Sequence, residues 1–294
     1  MKYTNGIIVK GIGGFYYVEA SDSKIYECKA RGIFRKNNIT PNVGDMVKIS
    51  INKETFSTIE EILPRKNFLI RPPVSNIDKL FIVSSTCDPE PNLLVIDKMI
   101  AIAIYKNIEP VLVLSKVDLE TRDDICKIYR EADIKVVEFS SKTMQGKDEI
   151  KGLITKGINV FIGNSGVGKS SLLNTICPQL SLATGVTSKK LGRGKHTTRH
   201  IEFFKIAEGT YLADTPGFSI VDIQKFENIK KDDLADCFPE FRPYIYDCKF
   251  NSCSHTCEKG CAVLEALRLG KISKSRHDNY IEMYNELKQV KSWK

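Results

Sequence analysis

The chain has 294 residues, 42% of them apolar and 27% charged, with a net charge of +8 and a pI near 8.9. This length exceeds one average domain, so two or three globular domains with real cores are expected. No run approaches the roughly 18 apolar residues of a membrane span, and Met1-Lys2-Tyr3-Thr4-Asn5-Gly6 lacks an apolar signal core, so a soluble, cytoplasmic protein without a membrane partner is expected. An odd count of nine cysteines without a signal segment points to reduced thiols and metal, and five of the nine fall between Cys237 and Cys261. The basic balance suits an anionic partner such as a phosphate backbone, although a solvated basic face is the ordinary alternative.

Up to about residue 70, short apolar runs at 6–9, 15–18, 24–28, 45–49 and 57–62 alternate with turns at Gly11-Ile12-Gly13-Gly14, Ser21-Asp22-Ser23 and Pro41-Asn42-Val43-Gly44-Asp45. Short strands at this spacing predict a small barrel of the OB type over residues 1–70. Such barrels hold oligonucleotides on an aromatic and basic face, which Phe15, Tyr16, Tyr17, Arg31, Phe34, Arg35 and Lys36 would supply. The alternative packs the aromatics inside and leaves the basic groups to water.

Beyond the junction at 64–73 the periodicity changes. Strands are predicted over 79–84, 110–114 and 134–139 and helices over 92–105, 121–131 and 147–155, which implies a parallel sheet covered by helices. A buried strand at 158–162 then enters Gly163-Asn164-Ser165-Gly166-Val167-Gly168-Lys169-Ser170, a G-x-x-x-x-G-K-[ST] loop in its required context. Glycines let backbone NH groups converge on a triphosphate, Lys169 reaches the outer phosphates and the Ser170 hydroxyl ligates Mg2+. A helix begins around Ser171, its positive dipole end facing the phosphates. Strands at 201–206 and 210–213 follow, joined through Ala207-Glu208-Gly209.

Two more stretches lie just past strand ends, where open parallel sheets bind ligands. Asp214-Thr215-Pro216-Gly217 offers Asp214 to Mg2+ through water and the Gly217 NH to the terminal phosphate. Ser115-Lys116-Val117-Asp118 resembles the N-K-x-D guanine signature, with Ser115 in the Asn position. Asp118 would accept both the ring NH and the exocyclic amine of guanine, whereas adenine would leave the carboxylate unpaired; Lys116 would lay its stem over the base. Ser115 lacks the bidentate reach of an amide, so weaker loop tethering or affinity is expected. Ser140-Ser141-Lys142 resembles the S-A-K loop whose backbone NH meets the guanine carbonyl.

An ordinary GTPase has its phosphate loop first; here Asp118 precedes Gly163. Because every contact lies at one sheet edge, joining the original ends and reopening the chain after the D-x-P-G segment leaves the site intact. Residues 71–220 therefore read as a circularly permuted α/β P-loop GTPase domain that binds GTP or GDP with Mg2+. The segment 188–200 is rich in base, and its Thr197 or Thr198 is the expected Mg2+ and terminal-phosphate ligand of a GTP-ordered switch. Phe218 stands where many GTPases carry a water-orienting Gln, and Phe cannot polarise water. His196 is the internal candidate for that role, grouped with Lys169 and Thr198 as the catalytic set, with a phosphate or RNA contact as its alternative. Hydrolysis is expected to be slow until a partner fixes the switch.

Residues 248–261 concentrate four cysteines and a histidine in fourteen positions. Tetrahedral Zn2+ needs four soft donors. Cys248, Cys253, His255 and Cys261 give C-x-x-x-x-C-x-H-x-x-x-x-x-C, and Cys257 can replace His255 in an all-cysteine site. No open catalytic position is evident, so one structural Zn2+ is expected to staple a small helical domain over 221–294. Helices predicted at 262–269 and 278–288 flank Arg268, Lys271, Lys274 and Arg276, a basic surface suited to RNA.

The barrel, the permuted GTPase, the zinc pattern and Gly192-Arg193-Gly194-Lys195-His196-Thr197-Thr198 together resemble the RsgA family of bacterial small-subunit-dependent GTPases, also called YjeQ or YloQ, over essentially the whole chain. The resemblance implies an N-terminal OB domain, a central permuted GTPase domain and a C-terminal zinc domain. It further implies that they bind the 30S ribosomal subunit and its 16S rRNA, act late in its maturation, and hydrolyse GTP faster when bound; a monomer is expected. It favours the histidine set of zinc ligands and leaves Cys257 free. A rival from another class is a zinc-containing RNA-binding module that senses guanine nucleotides without turnover. A rival among enzymes is a permuted GTPase acting on the large subunit or on tRNA.

Overall fold

The computed structural model describes residues 2–37, 39–52, 55–180, 182, 201–215 and 228–289. Strands β1 (Lys2–Ile12), β2 (Phe15–Ala20) and β3 (Ile25–Ala30), the short helix α1 (Gly32–Lys36), and strands β4 (Met46–Ile51) and β5 (Ser57–Ile62) make the N-terminal unit. Their order is β1-β2-β3-β5-β4, and β4 returns to β1 in antiparallel register from Lys2↔Ile51 to Ile7↔Met46. The sheet thus closes into a barrel and leaves no unpaired edge among these strands. Ile8, Val18, Cys28, Val47, Ile49 and Ile59 fill its interior, each fully buried.

The aromatic face expected on this barrel divides in two. Phe34 is buried and Tyr16 and Tyr17 pack against the core, whereas Phe15 meets Phe56 outside, with ring centroids 4.8 Å apart and the Lys29 ammonium 4.9 and 4.5 Å from the two rings. The Arg35 side chain lies outside the described set. Strands β6 (Phe68–Leu69) and β7 (Val74–Ser75) form a hairpin at the junction, which is knitted onto the barrel. Arg65 forks onto the fully buried Asp45, Nε and Nη2 donating at 2.7 and 2.8 Å. Gly44, at φ +92°, passes so close to this hairpin that a Cβ would lie 2.2 Å from the Ser75 carbonyl oxygen.

The central layer contains β8 (Ile77–Ser85), α2 (Leu93–Tyr105), β9 (Glu109–Ser115), α3 (Asp123–Glu131), β10 (Lys135–Phe139), α4 (Lys147–Leu153), β11 (Gly157–Gly163), α5 (Lys169–Ile176), β12 (Glu202–Ala207) and β13 (Thr210–Asp214). The order is β10-β9-β8-β11-β13-β12; the first five run parallel and β12 turns back along β13. The phosphate-loop strand β11 lies inside the sheet, between β8 and β13, where the chain direction of winding reverses and ligands are bound. Phe81 and Phe161, both fully buried, stack at 4.3 Å beneath this edge. At the other end β12 pairs with β1 through Lys10↔Glu202, so the barrel continues the sheet. Glu19 of β2 secures that seam by accepting from Lys205 and, at 3.2 Å, from the Tyr211 hydroxyl.

The C-terminal segment runs through short 3-10 turns to α6 (Ala262–Arg268) and α7 (Lys274–Lys288). Helix α7 starts before the expected residue 278 because His277 N–H already bonds the Ser273 carbonyl. That early start changes the fate of one residue assigned to the basic surface. Lys271 and Lys274 are exposed and Arg268 pairs with Glu265, but Arg276 is 1% exposed and belongs to the core. No described helix is long and apolar enough to cross a membrane.

Candidate nucleotide and metal sites

The turn from β11 to α5 requires left-handed backbone at Gly166 and Gly168, φ +86° and +85°, a conformation that costs a side-chain-bearing residue about 1 kcal/mol or more. Asn164, Ser165 and Gly166 form its exposed crest, with Ser170 and Ser171 half-buried below. Lys169, 8% exposed, donates to the Asp214 carboxylate and, at 2.5 Å, to the Thr215 carbonyl. These residues meet because β13 lies parallel to β11 in the register Phe161↔Asp214. Thr215, 1% exposed, anchors the strand end by donating its hydroxyl to the Phe161 carbonyl at 2.8 Å.

The base-binding candidates share the same edge, because Ser115 is in register with Ser85 on one side and Phe139 on the other. Ser115 is 2% exposed, and its hydroxyl lies between the Val167 carbonyl of the phosphate loop, to which it donates, and the Ser84 carbonyl, 3.2 Å away. A single hydroxyl therefore makes a tie between the base loop and the phosphate loop. Asp118 accepts from the Ser140 hydroxyl at 2.7 Å and faces Lys142 Nζ at 3.2 Å. The Ser140 bond, aided by Lys142, holds its carboxyl below the usual aspartate range, keeping it an acceptor. Ser140, fully buried, also accepts from the amides of Lys142 and Thr143 at 3.1 and 3.2 Å, which sets the turn that carries Ser141.

Lys116 sits at φ 65°. That backbone is supported by Thr86, whose hydroxyl donates to the Lys116 carbonyl at 3.1 Å and whose amide bonds the Ser115 carbonyl at 2.9 Å, while the Lys116 ammonium donates to the Asp88 carbonyl. Sequence reasoning overlooked Thr86, although its position just past the end of β8 is the signal that identified the other loops. His196, Thr197, Thr198, Gly217 and Phe218 lie outside the described residues.

The metal candidates converge independently of the sheet. Cys248, Cys253, His255 and Cys261 bring their ligand atoms within 4.8 Å of one another. The Sγ atoms of Cys248 and Cys261 are 3.8 Å apart, and His255 Nδ1 is 3.5 Å from each. Tetrahedral zinc with bonds of about 2.0–2.3 Å needs ligand atoms roughly 3.5–3.8 Å apart, a spacing that Cys248, Cys261 and His255 Nδ1 already have, with the Cys253 Sγ within 4.8 Å of them, so the donor set suits that ion. Cys257 is exposed and outside the set. Glu258 shapes the loop by accepting from the amides of Ser254, Thr256 and Cys257 at 2.8, 3.1 and 3.2 Å. Burial alone would raise its pKa, but the Ser254 hydroxyl, with the amides of Ser254 and Cys257, brings it down to about 2. From α7, His277 Nε2 donates to the His255 carbonyl and the Tyr280 hydroxyl to the Ser254 carbonyl, each at 2.8 Å.

A phosphate loop, a base loop and an acidic strand end meet on one edge of a parallel sheet whose strands are threaded in rotated order, which places the chain among circularly permuted P-loop GTPase folds. Comparison with known proteins narrows the class: the family model described as RsgA GTPase matches residues 62–224, and that of the RsgA N-terminal domain matches residues 5–59. The chain belongs to the RsgA GTPase family. It is 45% identical over 98% of its length to a small ribosomal subunit biogenesis GTPase RsgA of Caldanaerobacter subterraneus, covering 97% of that protein. A relative of the same name from Geobacillus thermodenitrificans is 44% identical, with 97% of this chain and 98% of that one covered. Among solved structures, YjeQ from Thermotoga maritima superposes with a TM-score of 0.80 at 33% identity, covering 99% of this chain and all of that one. YloQ, described as a circularly permuted GTPase, gives 0.79 at 33% identity, covering 100% and 98%.

Proposed function

We propose that this chain is a GTPase that binds the 30S ribosomal subunit, assists its late maturation, and turns over faster when that particle is engaged. The observation that carries the reading is the meeting of Lys169 and Asp214 with the Ser115-tethered Asp118 loop at one sheet edge, in a chain 45% identical to a protein named for this activity. Asp118 reads guanine through its ring NH and amine, the Ser140-Ser141 turn offers backbone NH to the carbonyl, and Lys116 covers the base. Gly163 to Ser171 cradle the phosphates, with Lys169 moving from Asp214 to the outer oxygens when these are present. Ser170, Thr197 or Thr198, and Asp214 through water would hold Mg2+, which neutralises charge building on the phosphates. The Gly217 NH meets the terminal phosphate, and hydrolysis consumes water to give GDP and phosphate.

Phe218 cannot orient that water, so His196 is assigned the task, with release of the reaction controlled by the particle that orders the switch. One structural Zn2+ on Cys248, Cys253, His255 and Cys261 holds the C-terminal unit, and contacts to 16S rRNA fall to the barrel and the zinc unit. This work belongs in the cytoplasm, by a monomer divided near residues 70 and 220. The decisive experiment is a pull-down of ribosomal particles with a non-hydrolysable GTP analogue or GDP, paired with hydrolysis assays with and without 30S particles. Preferential capture of 30S with the analogue and faster turnover are expected; no preference for 30S sinks the assignment. His196→Ala should lower single-turnover hydrolysis, and an unchanged rate with and without 30S removes His196 from the mechanism.

A further inference from the structure

Adjacent residues of α7 hold two distant parts of the molecule. His277 and Tyr280 grip the backbone of the metal loop, at His255 and Ser254. Arg276 turns toward the GTPase layer instead. Its Nη1 donates to Asp97 at 2.6 Å, and its Nε and Nη2 donate to Glu240 at 2.8 and 3.1 Å. Asp97, on α2 and 1% exposed, also accepts from the Tyr129 hydroxyl of α3 at 2.8 Å and from Asn279 of α7 at 2.6 Å. A second ion pair joins the same helices, Lys98 of α2 to Glu286 of α7 at 2.7 Å. Ten residues separate Arg276 from Glu286, about 15 Å along the helix, so α7 is clamped to α2 at two well-spaced points.

The two GTPase helices in this clamp both lead to nucleotide loops. The first turns of α2 line a cavity with the phosphate loop, Val95, Ile96 and Met99 facing Gly163, Asn164 and Val167. Helix α3 follows the base loop that ends at Asp118. Asp97 and Tyr129 thus join the helices of the two loops, and Arg276 fastens that joint to the metal-bearing unit. Arg276 and Glu240 both belong to the C-terminal segment and neutralise each other, leaving Asp97 as the charged partner from across the boundary. Buried ion networks rarely stabilise more than apolar packing would; their attested use is to hold one register between elements.

The geometry points to Arg276 as a positioning residue for GTP hydrolysis, coupling the zinc unit to the nucleotide loops through Asp97 and Tyr129. Its physiological direction, from a bound ribosomal particle to the nucleotide, rests on the function proposed above; the coupling itself does not. Linkage is reciprocal, so nucleotide must also act on α7. The test is amide hydrogen exchange of the full-length, zinc-loaded protein, without nucleotide and with a non-hydrolysable GTP analogue. In the parent chain the analogue should change exchange across residues 274–288 by about 10-fold. Asp97→Asn is isosteric and leaves the Arg276–Glu240 pair intact, so zinc content and analogue affinity should hold while the response falls below about 2-fold. No response in the parent chain, or the same response in Asp97→Asn, overturns the coupling. If Asp97→Asn does not fold, Lys98→Met decides the matter by the same criterion: a reduced response supports the coupling and an unchanged one refutes it. In the ribosomal arm, Asp97→Asn should keep basal hydrolysis and 30S binding but lose about 10-fold in stimulation, and full stimulation would refute the coupling. A parent chain that 30S particles do not stimulate sinks the functional reading, and the exchange data then decide the coupling alone.

Discussion

Ser115→Ala tests whether one hydroxyl holds the base loop against the phosphate loop. Ser115 is 2% exposed, and its hydroxyl donates to the Val167 carbonyl. Losing it strips a donor from a buried acceptor, a loss of about 1–3 kcal/mol. If that loss is felt in the bound state, Kd for both GTP and GDP rises about 5- to 150-fold. Preference for guanine over adenine should be unchanged, because Asp118, the proposed guanine reader, keeps its bond to Ser140. Ser115→Thr retains the hydroxyl and should recover most of the affinity. Titration with a fluorescent GDP, its dissociation rate and a thermal melt would measure the effect. An affinity within twofold of the parent chain, with an unchanged melting temperature, would refute the tether.

Asp118→Asn replaces an acceptor with an amide that suits a carbonyl where guanine carries its amine; GTP binding should weaken by about 3 kcal/mol or more, over 100-fold, while xanthosine triphosphate gains, as competition binding would report. Chelation of the metal, or Cys253→Ser, should expose the thiols of Cys248 and Cys261 to an alkylating reagent and loosen the loop that α7 grips, whereas equal reactivity with and without chelator would exclude a metal there. Glu258→Gln should lower stability at neutral pH by about 1–2 kcal/mol. Since the Glu258 pKa falls from 4.5 unfolded to about 2 folded, its contribution is present above pH 4.5 and disappears as pH falls toward 2, so denaturation curves of the two proteins should converge across that window. Gly44→Ala should destabilise the junction by about 2 kcal/mol or more, because its Cβ would meet the Ser75 carbonyl oxygen at 2.2 Å; a melting temperature equal to the parent would contradict the geometry.

Much of the site could be read from local chemistry. The glycines of 163–168, Lys169-Ser170 as the proposed phosphate ligands and Asp118 as the proposed guanine reader each stand out within a few residues of chain, and the structure brings them to one sheet edge. The permutation was equally legible, since the order of loops along the chain is a property of sequence. The donor set was partly so: spacing left His255 and Cys257 as alternatives, and the folded loop sends His255 inward and Cys257 to solvent.

Tertiary structure decided what depends on partners far away in sequence. That the hydroxyl at 115 reaches the Val167 carbonyl, 52 residues on, is visible only in the folded chain. Arg276 reads as one more cation in a basic run, and only the packing of α7 on α2 encloses it between Asp97, 179 residues earlier, and Glu240. The sequence by itself determined which chemistry this protein carries, because turn conformation and ligand type are local. The packing of the nucleotide-site helices against the end that carries the cysteine–histidine cluster came from folding, since burial and ion pairing are set by which surfaces meet.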